Sequence, residues 1–190
     1  MRLHRFYLNI KIPLGEISIS NKDLIHQWKS VFRLKVGDKI IIFNGGGDDF
    51  IATIKTLKKD GVVLFVDDFR SGIVQNKNIS LFISIPKKDK LEWIVEKATE
   101  LGVSSIHPII SERSEKKGFK KERLEKLIIE ATEQSGWSKI PILHETKTLE
   151  EVLSKEKMTL FVCDMDGERI REEEFKKIKD LASNKGGVCL

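Results

Sequence analysis

The pattern of apolar residues changes near residue 72 of this 190-residue chain, and this change constrains the fold more than any other feature. Before it, short apolar runs alternate with turn residues, as in a sheet of short strands. After it, strand-like runs alternate with helical segments, as in a parallel sheet covered by helices. We therefore expect an α/β protein with two domains, a small β-barrel over residues 1–72 and a parallel-sheet domain over residues 73–190.

The pattern of short strands and turns in residues 1–72 predicts a barrel that is interrupted by one helix. Asp60-Gly61 is typical of a two-residue hairpin turn. The helix is expected to be capped by Ser20 or Asn21 and to run to about Phe32. Three of its residues are expected to face the core: Leu24, Trp28 and Val31. The predicted strands are Leu3 to Ile10, Ile17 to Ile19, Lys39 to Asn44, Phe50 to Lys58 and Val62 to Phe69.

The second region begins after a polar segment, Ser71-Gly72 to Asn78, which is the predicted linker. Ligands of parallel sheets bind beyond the carboxyl ends of the strands, which are expected at Pro86, Ser111, Asp164 and Leu190. The predicted strands are Ile79 to Ile85, Ser105 to Ile110, Ile140 to Leu143, Met158 to Cys163 and Gly187 to Leu190. The predicted helices are Lys87 to Leu101, Lys120 to Ser135, Leu149 to Lys155 and Glu172 to Ala182.

Composition indicates an ordinary soluble globular protein, with 40% hydrophobic and 33% charged residues. The net charge of +5 is 34 basic minus 29 acidic residues, and residues 1–72 hold +4 of it (12 minus 8). Such an excess is compatible with a polyanion partner, but many proteins that never bind nucleic acid carry one as large. Charge alone therefore does not decide the function.

Cysteines, histidines and hydropathy indicate a compartment and exclude some functions. Cys163 and Cys189 lie in apolar runs, where buried reduced thiols are expected, and this fits the cytoplasm. No run approaches the roughly 18 apolar residues of a membrane span. The four histidines are far apart in the sequence and have no Cys or acidic partner at ligand spacing, so we expect no metal site.

Polar residues at the ends of two predicted helices exceed what folding requires. Glu96 to Val103 runs on to Glu112-Arg113-Ser114, and Glu130 to Gly136 ends the next helix. The apolar residues of each helix already form one stripe: Leu91, Ile94, Val95, Ala98 and Leu101 in the first, and Leu124, Leu127, Ile128 and Ala131 in the second. The additional acids, amide and hydroxyl indicate a functional site.

These segments, together with Arg2 to Tyr7 and Val31 to Asp38, resemble the RsmE family of bacterial methyltransferases, which act on N3 of a uridine in 16S ribosomal RNA. The likeness covers nearly the whole chain. The resemblance implies a PUA-like β-barrel that binds RNA, followed by a SPOUT-type α/β domain. It also implies that a trefoil-knotted end holds S-adenosylmethionine at a homodimer interface, with 16S rRNA or the small ribosomal subunit as partner.

Methyl transfer to N3 of uracil requires that the N3 proton leave, so a base or a group that stabilises the uracil anion is expected to help. Arg113 is the candidate for anion stabilisation. Glu130 or Glu133 is the candidate proton acceptor, or orients the base through Gln134. The alternative is that these acids and Arg113 form a surface or interfacial ion pair.

The remaining site predictions concern the cofactor and the RNA. The strand end Phe161, Val162, Cys163 and Asp164, with Leu190, is expected to border the cofactor, although a plain connecting turn is the alternative after Asp164. The predicted RNA contacts are Arg2, His4, Arg5, Arg33 and Lys35, beside aromatic residues that stack on bases or fill the barrel.

The sequence departs from the family pattern in two places. The glycine-rich cofactor loop of the family would begin after Leu190, so we expect a chain truncated before the knot, which by itself lacks activity. Trp137 stands where an arginine commonly follows Gln-Ser-Gly. Two alternatives to the rRNA uridine-N3 methyltransferase remain open: a non-catalytic ribosomal-RNA-binding protein, and a SPOUT methyltransferase for a different RNA.

Overall fold

A computed structural model describes residues 3–75, 78–111, 114 and 119–155. It divides into two compact units, one made of Met1–Val74 with Gly136–Lys139, the other of Gln75–Ser135 with Ile140–Leu190. The strands predicted at Met158 to Cys163 and Gly187 to Leu190, and the helix predicted at Glu172 to Ala182, lie outside the described residues.

The first unit contains a five-stranded mixed sheet with the strand order β1-β3-β4-β5-β2. β1 pairs with β3 in parallel and all other pairs are antiparallel. The strands are β1 (Arg5–Tyr7), β2 (Gly15–Ile19), β3 (Lys39–Phe43), β4 (Asp48–Leu57) and β5 (Val62–Ser71). One apolar cluster takes residues from all five strands, including Phe6, Ile19, Ile42, Ile54 and Leu64, so the sheet wraps around a single core. This arrangement matches the predicted barrel.

The helix of this unit changes geometry halfway along. Asn21 caps it, because its side chain accepts hydrogen bonds from the backbone amides of Asp23 and Leu24. α1 (Lys22–His26) then widens into a π-helical turn over Gln27–Val31, where the amide of Phe32 donates to the carbonyl of Gln27. The wider turn rotates the following residues. The prediction that Val31 faces the core is therefore wrong: Val31 is 66% exposed, and Phe32 packs against the core instead.

The hairpin between β4 and β5 is present, but its loop is longer than the sequence predicted. Residues 58–61 form the loop, and the amide of Lys58 donates to the carbonyl of Gly61 at 2.9 Å. The prediction of a two-residue turn at Asp60-Gly61 is therefore wrong. Four residues allow Gly61 to avoid a positive φ, which the two-residue type I′ turn would require.

A second segment of the chain, Gly136–Lys139, belongs to the first unit. The amide of Ser138 donates to the carbonyl of Ile73, and the amide of Gly47 donates to the carbonyl of Ser138. β5 itself continues to Ser71, and Gly72 packs closely on Ser138. Ser71 and Gly72 are therefore part of this unit and not a linker, because Ser71 pairs with Asp48 of β4 and the amide of Gly72 donates to the carbonyl of Gly47.

The second unit contains a sheet in which all pairs are parallel, as predicted. β7 (Ser105–Ile110) pairs with β6 (Ser80–Ser84) on one side, and with β8 (Ile142–Leu143) and then β9 (Lys147–Thr148) on the other. The helices are α2 (Lys88–Glu100), α3 (Lys121–Ser135) and α4 (Leu149–Lys155). No helix in the described part of the chain is both long and apolar enough to cross a membrane.

Helices lie on both faces of this sheet. α2 and α3 pack on one face, where Leu91, Val95, Ile106, Leu124 and Ile128 are buried together. On the other face, Val152 of α4 packs with Phe82 and Ile109.

One residue of the predicted helical stripe lies outside the core. Leu101 is 82% exposed because α2 ends one residue earlier and Gly102 turns the chain at a φ of 86°. Val103, whose amide donates to the carbonyl of Ala98, enters the core in its place.

Candidate nucleic-acid interface

A row of aromatic rings leads from the core of the first unit to its surface. Trp28 and Phe6 are fully buried, with ring centroids 4.9 Å apart. Phe6 meets Phe32 edge to face at 5.1 Å, and Phe32 meets the exposed ring of His4 at 4.8 Å. The π turn is what brings Phe32 into this row. The aromatic packing therefore fixes the position of His4, one of the predicted RNA contacts.

Arg33 lies directly after Phe32 in the left-handed region, with a φ of 53°. A residue with a Cβ rarely adopts this conformation, and its occurrence is associated with functional sites. The next amide, of Leu34, donates to the carbonyl of Trp28 at 2.9 Å, which holds the turn closed. The side chain of Arg33 is exposed and forms no ion pair among the described residues.

Lys35 follows on the same turn, and its side chain is also exposed. Its amide donates to Oδ2 of Asp38 at 2.7 Å, and Gly37 turns the chain at a φ of 95° towards β3. The structure thus places two of the predicted RNA contacts, Arg33 and Lys35, on one tight turn. An exposed aromatic ring beside exposed cations is an arrangement that suits single-stranded RNA.

Arg5 has a different environment. Its guanidinium forms two hydrogen bonds with Asp49, at 2.6 and 2.8 Å, and further bonds at 3.1 Å with the carbonyl of Trp137 and with Oγ of Ser138. The side chains of Arg5 and Asp49 are 7% and 3% exposed. Both terminal nitrogens of its guanidinium bond inside the fold, and its buried Nε has no hydrogen-bond partner among the described residues. Arg5 is therefore not available to contact RNA from the surface.

Asp49 is the acidic centre of this buried cluster. Burial alone would raise the pKa of Asp49, but hydrogen bonds from Arg5 and Ser138 and the charges of Arg5 and Arg70 outweigh it. The pKa of Asp49 therefore lies below its ordinary value of 3.8. The carboxylate stays ionised and binds Ser138 Oγ at 2.6 Å. Asp49 and Ser138 were missed in the sequence because 89 positions separate them.

The predicted catalytic residues that the structure describes lie on one face of α3. Glu130, Glu133 and Gln134 have the i, i+3, i+4 spacing that brings side chains together on a helix. Glu130 is exposed, with Lys126 Nζ at 3.9 Å. The hydroxyl of buried Thr132 donates to the carbonyl of Ile128, so the opposite face of α3 packs in the core. A catalytic role of these three residues stays a prediction.

The other predicted site residues lie outside the described residues. They are Arg2, Arg113, Phe161, Val162, Cys163, Asp164 and Leu190.

Two histidines that are distant in the sequence meet in the second unit. The rings of Phe82, His107 and His144 form a stack, with centroids 4.3 and 4.0 Å apart. Nε2 of buried His107 lies 3.0 Å from Oγ of Ser105. The parallel pairing of β7 with β8 brings these rings together, which the sequence did not reveal. Among the described residues no group of three or more His, Cys, Asp or Glu is arranged to hold a metal ion.

Comparisons with known proteins match both units. A family model described as RNA methyltransferase domain matches residues 74–190, and one described as RNA methyltransferase PUA domain matches residues 29–67. A solved structure, a ribosomal RNA small subunit methyltransferase E from Neisseria gonorrhoeae bound to S-adenosyl methionine, superposes with a TM-score of 0.77 at 23% identity. That superposition covers 100% of this chain and 89% of the other, and it shows the shared fold.

Two curated relatives are also described as ribosomal RNA small subunit methyltransferase E. The Rickettsia conorii protein is 31% identical over 156 residues, which are 82% of this chain and 64% of the relative. The Bacillus subtilis protein is 31% identical over 141 residues, 69% of this chain and 54% of the relative. The chain thus spans somewhat more than half the length of these relatives. With a barrel and a parallel-sheet unit that each match their domain of the family, the chain belongs to the RsmE family of RNA methyltransferases.

Proposed function

We propose that this chain takes part in S-adenosylmethionine-dependent methylation of N3 of a uridine in the 16S RNA of the small ribosomal subunit. The match of the RNA methyltransferase domain over residues 74–190 carries this proposal. The relatives described as small-subunit rRNA methyltransferases support the choice of RNA. We further propose that the protein works in the cytoplasm as a homodimer.

The first unit is proposed to bind the RNA. The contacting rings of His4 and Phe32 are proposed to stack on bases, and the exposed side chains of Arg33 and Lys35, on the turn that follows Phe32, are proposed to bind phosphates. Arg2, outside the described residues, stays in the proposed set. Binding through such cations weakens as salt rises, because each phosphate contact releases counterions.

The second unit is proposed to carry the chemistry. S-adenosylmethionine supplies the methyl group, and Phe161, Val162, Cys163, Asp164 and Leu190 are proposed to border it. The N3 proton of uracil must leave before the nitrogen lone pair becomes reactive. Arg113 is proposed to stabilise the resulting anion, and Glu130 or Glu133 to accept the proton, with Gln134 orienting the base.

A methylation assay tests this proposal. The natural protein that contains residues 1–190 is incubated with methyl-labelled S-adenosylmethionine and either small ribosomal subunits lacking the modification or transfer RNA, and the RNA is digested to nucleosides. We expect 3-methyluridine from the subunits and none from transfer RNA. Arg113→Gln is expected to lower the rate by about a hundredfold or more. Arg123→Gln, which removes a cation paired with Glu92, is the matched control.

Other results would redirect the assignment. Label in a different nucleoside, or in transfer RNA, would contradict the uridine-N3 assignment. Retained binding of small-subunit RNA without methyl transfer, and without heat from S-adenosylmethionine in calorimetry, would instead support the non-catalytic RNA-binding alternative.

A further inference from the structure

A cavity of about 620 Å³ opens in the first unit beside the buried Arg5 and Asp49 pair. This volume falls within the roughly 300–1,000 Å³ typical of small-molecule sites. The proposed RNA-binding surface at His4 and Arg33 does not include it, since neither residue lines it. The cavity therefore needs an explanation of its own.

The walls of the cavity differ in chemistry. Apolar side chains of Leu3, Ile41 and Ile73 contribute to its lining, and Ile73 is 62% exposed. Polar lining comes from Arg5, Asp49, Arg70 and Ser71. A ligand that fills this space must combine a flat or apolar part with a polar or charged part.

The charges of the cavity favour an anion. Asp49 carries one negative charge, which Arg5 already neutralises through two short hydrogen bonds. Arg70 adds a second guanidinium, 3.9 Å from Oδ2 of Asp49, and its side chain remains 61% exposed. The three groups sum to +1, and the surplus charge lies on the accessible Arg70. The fixed carboxylate orients this guanidinium without burying it.

Bare backbone also lines the cavity, at Gly72 and Gly136. A Cβ at Gly72 would lie 2.0 Å from Oγ of Ser138 and 2.8 Å from the carbonyl oxygen of Gly47. The cavity wall is therefore built by close packing of β5 against the returning Gly136–Lys139 segment, and its shape is set by the fold.

We infer that this cavity is a subsite for one nucleotide of single-stranded RNA, with the phosphate at Arg70 and the base against the apolar wall. A base has a flat apolar face and polar edges, which suits a lining that contains apolar Ile41 and Ile73 together with polar Ser71. A guanidinium binds phosphate through paired hydrogen bonds. This inference rests on the proposed function, to which it adds a second point of contact with RNA.

Nuclear magnetic resonance of the full chain with labelled isoleucine δ1-methyl groups tests the subsite. The probes are uridine monophosphate, inorganic phosphate and a hexauridylate. We expect the methyl signals of Ile41 and Ile73 to shift with the nucleotide and the oligonucleotide. Ile25, which lines a different cavity, is the internal reference. Shifts of equal size with inorganic phosphate alone, or no shifts at Ile41 and Ile73, would overturn the inference.

Substitution of Arg70, the exposed cation that lines the cavity, provides a second test of the subsite. Arg70→Gln is expected to weaken hexauridylate binding by about tenfold and to lower the salt slope of binding by about 0.7. Lys58→Gln, at the opposite end of the β4–β5 hairpin, is the matched control and is expected to leave both unchanged. Unchanged binding by Arg70→Gln would overturn the subsite.

A comparison of the affinities for hexauridylate and for uridine monophosphate distinguishes an RNA ligand from a free nucleotide. Binding of hexauridylate at least about tenfold tighter than uridine monophosphate supports an RNA subsite, because neighbouring phosphates add contacts. Equal affinities would overturn the assignment to RNA. Methyl transfer without Ile41 and Ile73 shifts would overturn only this inference, whereas these shifts without methyl transfer would overturn only the proposed catalysis.

Discussion

Asp49 and Arg5 form the most deeply buried ion pair of the described residues, and such pairs are sensitive to the loss of one partner. Asp49→Asn removes the negative charge and leaves the Arg5 guanidinium buried without its counter-ion. We expect a loss of about 3–5 kcal/mol in the free energy of unfolding, measured by urea denaturation. The double change Arg5→Met with Asp49→Leu is expected to recover much of this loss, since it leaves no buried charge.

The pH dependence of the same pair has a definite sign. The pKa of Asp49 is lower in the folded chain than its ordinary value of 3.8. Its contribution to stability is therefore complete above about pH 4 and is lost as the pH falls through the lowered folded pKa. A melting temperature of the Arg5→Met, Asp49→Leu protein that falls as steeply as that of the unaltered chain below pH 4 would contradict this role.

At Gly72 the addition of a single methyl group is expected to disturb the packing. Its Cβ would overlap Ser138 at 2.0 Å and the backbone of Gly47 at 2.8 Å. Gly72→Ala is expected to lower the free energy of unfolding by about 1–3 kcal/mol, because the returning segment must shift. Gly61→Ala is the control: its Cβ would meet only the carbonyl of Ile19, at 3.7 Å. Equal stabilities of the two variants in urea denaturation would rule out the close packing.

At the scale of elements, the sequence predicted most strands and helices because the hydrophobic period agrees there with the residues that begin and end each element. Asn21 before α1 and Gly102 after α2 are strong local signals, and the structure uses both. The π turn at Gln27–Val31 was not predicted because its sequence satisfies an ordinary helical period. The wider turn instead depends on tertiary packing, in which Trp28 and Phe32 both contact Phe6. The two-residue strand β9 escaped because it is too short to show alternation.

Arg33 follows the π turn and its capping residue Phe32, and its positive φ can be tested separately from its charge. Arg33→Gly removes the steric conflict of a Cβ in the left-handed region. We expect the melting temperature of Arg33→Gly to equal or exceed that of the unaltered chain. Arg33→Ala keeps the Cβ and loses the same charge, so it serves as the control and is expected to melt below Arg33→Gly. A lower melting temperature for Arg33→Gly than for Arg33→Ala would show that φ is not strained at this position.

At the scale of the whole molecule, the candidate site was only partly predictable. His4, Arg33 and Lys35 could be chosen from the sequence because they lie beside aromatic residues in the segments that resemble the RsmE family. Arg5 looked equivalent, but its partners Asp49 and Ser138 lie 44 and 133 positions away, so only the folded chain shows that it is buried. The stack of His107 and His144 depends likewise on strand pairing that no local pattern encodes.

The distinction between exposed and buried cations leads to a prediction for RNA binding by the whole chain. Arg33 and Lys35 are exposed and free of ion pairs among the described residues, whereas Arg5 is bound internally. The double change Arg33→Gln with Lys35→Gln is therefore expected to reduce the salt slope for single-stranded RNA by about 1.4, as the loss of two phosphate contacts requires.

The measurement is a fluorescence anisotropy titration with a labelled single-stranded RNA at several salt concentrations. Lys11→Gln with Lys58→Gln removes the same charge from exposed positions elsewhere on the unit, so it controls for net charge. Since both double variants lower the net charge from +5 to +3, a long-range effect of charge alone would change their slopes equally. Equal slopes would contradict specific phosphate contacts at Arg33 and Lys35. A smaller slope for the Arg33 and Lys35 variant alone would locate these contacts on the turn that follows the π-helical segment.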